Sequence, residues 1–445
     1  MVGGYGKLGA PLSLLNTIGK TSVKDLTVVC SSVACPDNGS AIQHLLENKK
    51  ISKLITSSVD NNPLVKQLFE KGELEIDLLP MGTLAEKVRS GGFGIPAFFS
   101  PVGLNTFHEE GGIPTKLSKN GVISKSPALK RHSSNGKDYL LEKTLLGDYS
   151  IVKAWKADTM GNCVMKLARR NFNPDMGFAG KVCIVEAEEI VEPGKIDGDD
   201  VNLSNIFVHR VVKAPNIEPE FKSIKDYSIG QVQELMAKRA AQEIKAGDYV
   251  ILSFGLPTFI EQYMDPTVDV YYVYPETGIF GGIRKPPHIT GALDGYMQPL
   301  GLHRNGAIVA ASYGFTAIRG GHVNKIFTEA YQVSMEGDLA NIEKGDKFLP
   351  SPGIQMDLAT AAHKTSLIAL MQLETNGKCN IVKKCEYKIS GRKCVSKLIT
   401  DAGVFEIKKD GMHLTEIIPG IKAESIKKKI PFEIKVNSNL KTMTT

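Results

Sequence analysis

Two stretches of the chain repeat one local pattern. Residues 3–11 read Gly-Gly-Tyr-Gly-Lys-Leu-Gly-Ala-Pro, and residues 249–257 read Tyr-Val-Ile-Leu-Ser-Phe-Gly-Leu-Pro. Glycine permits a tight turn with positive φ, and a following proline suits the first turn of a helix. The two stretches are too far apart for a solenoid repeat, so the pattern predicts two related domains.

The residues between these stretches alternate between strand and helix patterns. Buried-strand patterns occupy 26–30, 51–56 and 74–78, and helical spacing occupies about 40–48, 64–69 and 83–89. Thr83 and Glu86 have the spacing of a capping box, which places the start of the third helix at Thr83. Strands alternating with short helices indicate a parallel, doubly wound sheet. We therefore predict an α/β fold of two related open parallel-sheet domains packed face to face.

The composition of the chain predicts where the two domains begin and end. Residues 213–227 are polar and contain prolines, which is typical of a linker. This predicts an N-terminal domain over 1–212 and a C-terminal domain over 228–435. Within the second domain we expect a helix over 232–246, a short strand over 307–311 leading to a turn at 319–322, and strands over 397–407 and 413–418. Residues 436–445 are expected to be a disordered tail.

Composition excludes several classes of function. The 445 residues carry a formal net charge of +6, and the run Lys427-Lys428-Lys429 is more typical of a solvated helix end than of a nucleic-acid site. No nucleic-acid-binding motif or membrane-length apolar run is present. The seven cysteines form no C-x-x-C pair, so no metal site is predicted.

Glu276 is the strongest candidate for a catalytic residue. It follows an apolar, β-branched and aromatic run over 268–273, and Gly278 and Gly281 come shortly after it. In open α/β sheets, ligands bind at the carboxyl ends of the strands, so a carboxylate placed there is positioned to contact a substrate. A solvated glutamate in an ordinary turn is the alternative on position alone.

The same segment resembles the active-site region of the family I coenzyme A transferases, of the succinyl-CoA:3-ketoacid type. The matching segments are 275–281, 318–323, 332–334 and 337–341, and the resemblance extends over nearly the whole chain. It implies that Glu276 is a nucleophile that moves CoA between succinate and acetoacetate in ketone body metabolism, through a covalent glutamyl-CoA intermediate. The substrate is then an acyl-CoA with a carboxylate acceptor, and no other cofactor is implied.

The resemblance also implies residues that bind substrate or CoA, a homodimer and a mitochondrial matrix location. The implied binding residues are Gly4, Gly6, Gly255, Gly278, Gly281, Arg319, Gly320, Gly321 and Gly353. No transit peptide is visible before Gly3, which leaves a cytoplasmic location as the alternative.

The chain departs from the family pattern at positions that supply hydrogen-bond donors. Met81 replaces a glutamine and Val33 replaces an amide residue, and neither side chain can donate comparably to an oxyanion. In the family's glycine-rich loop, Pro352 lacks an N–H and Ile354 adds bulk, while Gln355 could lend an amide to the site instead. These departures support a second hypothesis: a catalytically impaired homologue that serves as a structural or binding subunit of a larger assembly. Under the first hypothesis, we expect room for a thioester in front of Glu276.

Overall fold

The computed structural model describes residues 1–34, 40–215, 228–284, 292–293, 299–343 and 349–444. The helices of the first half are α1 (Leu12–Lys20), α2 (Gln43–Glu47), α3 (Pro63–Glu70), α4 (Met81–Gly92), α5 (Phe107–Glu110) and α6 (Asn173–Phe178). Its strands are β1 (Leu26–Val29), β2 (Ile51–Thr56), β3 (Glu75–Leu78), β4 (Ala97–Ser100), β5 (Pro114–Ser118), β6 (Gly121–Lys125), β7 (Arg131–Ser134), β8 (Lys137–Lys143), β9 (Gly147–Asp158), β10 (Cys163–Val164), β11 (Gly180–Val191) and β12 (Arg210–Lys213).

The helices of the second half are α7 (Gln231–Ala241), α8 (Ala311–Gly320), α9 (Gln355–Thr360) and α10 (Ala423–Lys429). Its strands are β13 (Tyr249–Leu252), β14 (Tyr271–Tyr274), β15 (Ile279–Arg284), β16 (Ala292–Leu293), β17 (Pro299–Ile308), β18 (Lys325–Glu329), β19 (Gln332–Ser334), β20 (Leu339–Ala340), β21 (Ser366–Met371), β22 (Glu374–Thr375), β23 (Lys378–Cys379), β24 (Ile381–Val382), β25 (Lys397–Thr400), β26 (Gly403–Lys408), β27 (Gly411–Ile417) and β28 (Lys435–Thr442). Short 3-10 helices lie at Leu167–Arg169, Gly198–Asp200, Asn205–Phe207, Leu256–Tyr263 and Ala361–His363.

The first three residues link two sheets of the first half. Strands β1, β2 and β3 form one parallel sheet, and β10, β9, β11 and β12 form a second sheet in which β10 is antiparallel to β9 and the other strands are parallel. The backbone N–H of Val2 donates to Val29 at 2.9 Å, and that of Gly3 donates to Ile151 in β9 at 2.9 Å. Residues 1–3 therefore lie between the two sheets and hydrogen-bond to both of them.

The second half is built on an eleven-stranded sheet in the order β16-β17-β15-β14-β13-β18-β21-β25-β26-β27-β28, among the described residues. Its centre, β14 through β25, is parallel, whereas β15 to β17 on one side and β26 and β27 on the other add antiparallel strands. The predicted α/β fold class is confirmed. In both halves a short extended segment is followed by a glycine with positive φ (Gly4 +98°, Gly255 +89°) and then by a helical segment, as predicted.

Four local predictions are wrong. Helix α4 begins at Met81 and not at Thr83, which is buried in its first turn. Of the strand expected over 307–311, only residues 307 and 308 are strand, as the end of β17, and helix α8 already begins at Ala311 and runs into the predicted turn at 319–322. The tail expected to be disordered pairs with β27 as β28. The predicted helix over 232–246 ends at Ala241.

The predicted linker lies mostly outside the described residues. Of its span 213–227, only residues 213–215 are described, and Lys213 is the last residue of β12. The helix end at Lys427-Lys428-Lys429 is confirmed, because these lysines form the last turn of α10.

The two halves pack directly on each other. The backbone N–H of Ala311, at the start of α8, donates to the carbonyl of Asn171 at 2.9 Å. The rings of Phe172 and Phe315 lie 6.3 Å apart between the halves. Leu8, from the first glycine turn, is fully buried in an apolar group that includes Leu256 of the second half. The first glycine turn therefore contributes to the junction between the halves.

Candidate active site

Glu276 lies at the tip of a β-hairpin. Strands β14 and β15 pair antiparallel, and residues 275–278 connect them. The carboxylate thus follows the carboxyl end of a strand of the parallel centre, as predicted, but the chain returns in a strand and not in a helix. Its side chain is buried, with 6% of the residue exposed.

Gly278 shapes this turn. Its φ is +69°, and its N–H donates to the carbonyl of Pro275 at 3.2 Å. A Cβ on Gly278 would lie 1.9 Å from the carbonyl oxygen of Val309, which is closer than any real contact. Because the N–H of Val309 also donates to Gly278 at 2.9 Å, the turn is fixed against the segment that leads into α8. Glycine is therefore required at position 278 for two reasons: any side chain would clash with Val309, and the positive φ favours glycine.

The cavity in front of Glu276 is nearly filled. Its volume is about 10 Å³, no more than the roughly 10–15 Å³ that one water molecule needs. The residues that line it are Ile251, Leu252, Ser253, Val273, Tyr274, Pro275, Glu276, Ile354 and Leu358. Among them Glu276 is the only carboxylate. The expected room for a thioester is absent in this conformation, because Ile354 and Leu358 pack against the site.

The loop that carries Ile354 is held by the first half of the chain. Ser351 Oγ accepts from the N–H of Val59 at 3.2 Å, and the N–H of Gly353 donates to the carbonyl of Ser57 at 3.0 Å. The carbonyl of Gly353 accepts from the N–H of Met81 at 2.8 Å. The structure therefore brings together two predicted site residues, Gly353 and Met81, and Met81 is 2% exposed.

Helix α4 begins against the same region. The N–H of Gly82 donates to the Asp357 carboxylate at 2.9 Å. Burial raises the pKa of the Asp357 carboxyl to about 7, although the Gly82 N–H and the Arg319 guanidinium oppose this effect. A carboxylate at a helix N-terminus satisfies free N–H groups and interacts favourably with the helix dipole. Asp357 thus anchors α9 to α4.

Arg319 belongs to the same junction. It lies near the C-terminal end of α8, where it donates to the carbonyl of Gly82 at 3.2 Å and to the Glu86 carboxylate at 3.0 Å. Burial tends to raise the pKa of Glu86, but its hydrogen bonds to Arg89 and the nearby Arg319 charge hold the pKa below its ordinary value. Gly320 is the last residue of α8, and Gly321 ends the helix with φ +70°. The geometry therefore gives Arg319, Gly320 and Gly321 an architectural role. Their contact with substrate stays a prediction.

Gly4, Gly6 and Gly281, which were also predicted to bind substrate or CoA, belong to backbone turns or strand irregularities. The carbonyl of Gly4 accepts from Ser31 Oγ at 2.9 Å, and Gly6 belongs to a turn in which Tyr5 and Leu8 exchange backbone hydrogen bonds. Gly281 lies at a register shift between β15 and β17.

Gly255 lies against an acidic side chain. A Cβ on Gly255 would lie 2.5 Å from the carboxyl group of Glu329, which accepts from the N–H of Leu256 at 2.8 Å. Val33 is fully buried, and its N–H donates to the carbonyl of Ser58 at 3.0 Å. Neither residue lines the cavity at Glu276.

Gln355, which was expected to lend an amide to the site, is hydrogen-bonded to Asn341 and Thr328 instead. Its Oε1 accepts from Asn341 Nδ2 at 2.7 Å and from Thr328 Oγ1 at 3.2 Å. These bonds fix the orientation of the carboxamide, with its oxygen toward Asn341. Gln355 does not line the cavity, so its role as a donor to the site stays a hypothesis.

Sequence reasoning missed two buried carboxyls at the junction. One is Asp357, which accepts from the N–H of Gly82. Asp175, in α6, is also buried, and burial raises its pKa to about 7 against the opposing effects of Ser312 and Arg89. No local pattern predicted either one, because their partners are distant in sequence: Gly82 for Asp357, and Ser312 for Asp175.

The described residues hold neither a membrane-spanning helix nor a metal centre. No helix in these ranges is long and apolar enough to cross a membrane. No group of three or more His, Cys, Asp or Glu residues within them is arranged to hold a metal ion.

Comparison with known proteins decides the family. The family described as "Coenzyme A transferase" matches residues 1–214 and 233–429. The chain belongs to the coenzyme A transferase family. The mitochondrial succinyl-CoA:3-ketoacid coenzyme A transferase 2A of Rattus norvegicus is 35% identical to this transferase over 463 residues, covering 100% of this chain and 87% of the relative. The mitochondrial form 2 of Homo sapiens is 34% identical with 100% and 88% coverage.

A bacterial relative matches only one half. A probable succinyl-CoA:3-ketoacid coenzyme A transferase subunit of Bacillus subtilis is 43% identical over 213 residues, which cover 48% of this chain and 81% of the bacterial chain. Among solved structures, the apoenzyme of an acyl-CoA transferase from Escherichia coli O157:H7 superposes with a TM-score of 0.78 at 18% identity, covering 99% of this chain and 90% of that one. At this identity the likeness shows the shared fold alone.

Proposed function

We propose that this family member transfers CoA between succinyl-CoA and a 3-oxo acid such as acetoacetate, with Glu276 as the nucleophile. The position of Glu276 carries the proposal: among the described residues it is the only carboxylate that lines the cavity at the carboxyl ends of β13 and β14. The names of the full-length relatives support the substrates. The family match, which is interrupted between residues 214 and 233, supports the domains 1–212 and 228–435 with a linker between them.

The chemistry needs only the carboxylate and the two substrates. A Glu276 oxygen attacks the thioester carbonyl carbon, and the tetrahedral oxyanion collapses to release CoA thiolate and leave an acyl-glutamyl anhydride. The thiolate then attacks the glutamyl carbonyl, which releases the acyl group as a carboxylate and forms a glutamyl-CoA thioester. The acceptor carboxylate reverses both steps and leaves with CoA. Each oxyanion needs preorganised donors, which the side chains of Met81 and Val33 cannot supply.

Turnover requires movement of α9. The cavity of about 10 Å³ cannot admit a thioester while Ile354 and Leu358 line it. The contacts that hold Ile354 in place run through Gly353 and Asp357 to Met81 and Gly82. Opening of the site thus separates parts of the two halves, which is a conformational step of the kind that often limits turnover.

Trapping of the intermediate tests the proposal. The protein is incubated with acetoacetyl-CoA and then with borohydride or hydroxylamine, and the modified peptide is identified by mass spectrometry. We expect modification at Glu276 and CoA exchange with succinate, and loss of both in Glu276→Gln. The matched control is Glu329→Gln, which removes a carboxyl at the end of the neighbouring strand β18 and should leave the adduct intact. No adduct in the unmodified protein would contradict the proposal.

The filled cavity favours a second candidate function. A homologue that has lost turnover would retain the fold and serve as a structural or binding subunit of a larger assembly. Ile354 and Leu358 in front of Glu276, with Met81 buried at the junction, are the observations in its favour. It predicts that Glu276 stays unmodified at saturating acyl-CoA, so the trapping experiment separates the two functions.

The proposal also covers the oligomeric state and the cellular location. We infer a homodimer from the family resemblance, and a mitochondrial matrix location because the full-length relatives are named as mitochondrial proteins; a cytoplasmic location is the alternative. Analytical ultracentrifugation tests the dimer, and imaging of the tagged full-length protein tests the compartment.

A further inference from the structure

A larger cavity lies away from Glu276, between the two halves of the chain. Its volume is about 190 Å³. The first half contributes residues around α5, including Asn105 and Thr106, and the second half contributes residues from the loop after β24, including Tyr387. A cavity of this size admits a small molecule, whereas the cavity at Glu276 does not.

Cationic side chains dominate the wall of this cavity. Lys384, Lys388 and Arg392 all line it. Among the described residues, neither Lys384 nor Arg392 lies within ion-pair distance of a carboxylate, and Lys388 Nζ is 3.9 Å from Glu343. Arg392 Nε donates to the carbonyl of Asn105 at 3.1 Å, which holds the guanidinium at the junction of the halves.

Two carboxyls also reach the wall, and among the described residues neither lies within ion-pair distance of these cations. Asp338 Oδ1 accepts from the N–H of Lys393 at 3.0 Å, so this carboxylate is directed to the backbone. Glu110 is exposed at the rim. The lining therefore has a surplus of one formal positive charge, and Tyr387 and Asn105 are neutral polar residues of the same wall.

The cavity also adjoins the back of helix α9. Thr106 Oγ1 lies 3.8 Å from Met356 Sδ, and a Cβ on Gly391 would lie 2.5 Å from the Cβ of Ala359. Met356 and Ala359 are on the helix whose Leu358 lines the Glu276 cavity. Thr106, which lines the larger cavity, therefore separates a ligand there from the helix that closes the active site.

We propose that this cavity binds a small anion that carries a carboxylate or phosphate group. Guanidinium and ammonium groups that lack carboxylate partners form strong charge-assisted hydrogen bonds to such anions. The anion is either a free metabolite or the phosphate-bearing part of a larger substrate. In both cases it joins the two halves behind α9.

Calorimetry with the full chain tests this inference without any need for turnover. Inorganic phosphate, succinate and CoA are titrated separately into the protein and into Lys384→Gln. We expect at least one of the three to bind, and the Lys384→Gln variant to bind it at least about fivefold more weakly. The control is Lys383→Gln, which removes the neighbouring exposed lysine that does not line the cavity, and it should bind within about twofold of the original.

The pattern of ligands identifies the source of the anion. Lys384-dependent binding of phosphate or succinate without binding of CoA indicates a free metabolite, whereas Lys384-dependent binding of CoA indicates the phosphate groups of CoA. Equal affinity in Lys384→Gln and Lys383→Gln, or no binding of any of the three, would overturn the inference. Neither result depends on the Glu276 adduct, so failure here is distinguishable from failure of the proposed function.

Discussion

The Asp357 carboxylate accepts a hydrogen bond of 2.9 Å from the backbone N–H of Gly82, and so caps a helix in the other half of the chain. This contact fixes the start of α4 at Met81 and holds α9 against it. Since Ile354 immediately precedes α9, the same contact keeps the apolar wall in front of Glu276. The closed site is therefore a property of the junction between the halves.

The pH dependence of stability should reveal the buried carboxyl of Asp357. Burial raises its pKa to about 7, above its ordinary value of 3.8. The folded state therefore binds this proton more tightly than the unfolded chain. The resulting stabilisation is fully present below the unfolded pKa and is lost as the pH rises through about 7.

Asp357→Asn removes the titration and keeps an oxygen that can accept from Gly82. We expect the unfolding free energy of the original, minus that of the variant, to fall by a few kcal/mol between about pH 4 and pH 7 and to level off above this range. Urea denaturation across this pH range measures the difference. Asp265→Asn, at an exposed carboxyl, should show no such slope, and a flat difference for Asp357→Asn would contradict the expectation.

Arg319 is expected to stabilise the junction. Arg319→Gln removes hydrogen bonds to Gly82 and Glu86 and leaves Glu86 with Arg89 as its only cationic partner among the described residues, which should cost about 2–3 kcal/mol of unfolding free energy. Lys181→Gln breaks an exposed ion pair with Asp148 and should cost less than about 0.5 kcal/mol.

Chemical denaturation gives both free energies, and steady-state kinetics adds a second measurement. If Arg319 is only architectural, KM for the acyl-CoA should stay within about twofold. A larger increase would show that Arg319 also contacts substrate, as the sequence resemblance implies.

Gly278 can be tested against a glycine of similar conformation. Gly278→Ala places a Cβ 1.9 Å from the Val309 carbonyl oxygen at φ +69°, so the hairpin that carries Glu276 must distort. Gly377 has a similar φ of +74°, but a Cβ there would meet nothing within 4 Å. We expect Gly377→Ala to cost about 1 kcal/mol from the conformation alone and Gly278→Ala to cost at least about 3 kcal/mol. Equal melting temperatures for the two variants would refute the assigned clash.

Local patterns predicted much of this fold. The strand over 51–56 has the predicted bounds, and Glu276 follows a buried strand as expected. Both features depend on residues adjacent in sequence. The two glycine turns were likewise predicted locally, because each turn requires glycine for its own backbone conformation, whereas the relatedness of the two halves stays a prediction.

The wrong predictions concern positions whose structure depends on contacts with residues distant in sequence. Thr83 looked like an N-cap, yet Asp357 caps the helix from far away in sequence and Thr83 becomes part of the first turn. β28 has few apolar residues, and only its pairing with β27 gives it order. Ile354 was recognised as bulky, but its position in front of Glu276 depends on bonds from Gly353 to the first half.

Ile354 should control access to Glu276. Its side chain is 6% exposed and lines the cavity of about 10 Å³. Ile354→Ala shortens that side chain while leaving the backbone bonds of Gly353 intact. We expect the rate of Glu276 adduct formation from acetoacetyl-CoA to rise by about threefold or more, because less movement of α9 is needed before the thioester reaches the carboxylate.

A matched variant separates access from lost stability. Ile381→Ala truncates a fully buried isoleucine in β24, away from the cavity, and both variants should lose about 2–4 kcal/mol of unfolding free energy. Single-turnover measurements with rapid quench and mass spectrometry give the two rates. A faster reaction in Ile354→Ala alone supports a gate at this residue. Equal rates in the two variants would show that Ile354 does not limit access, and the barrier would then lie in the donors that the oxyanion lacks.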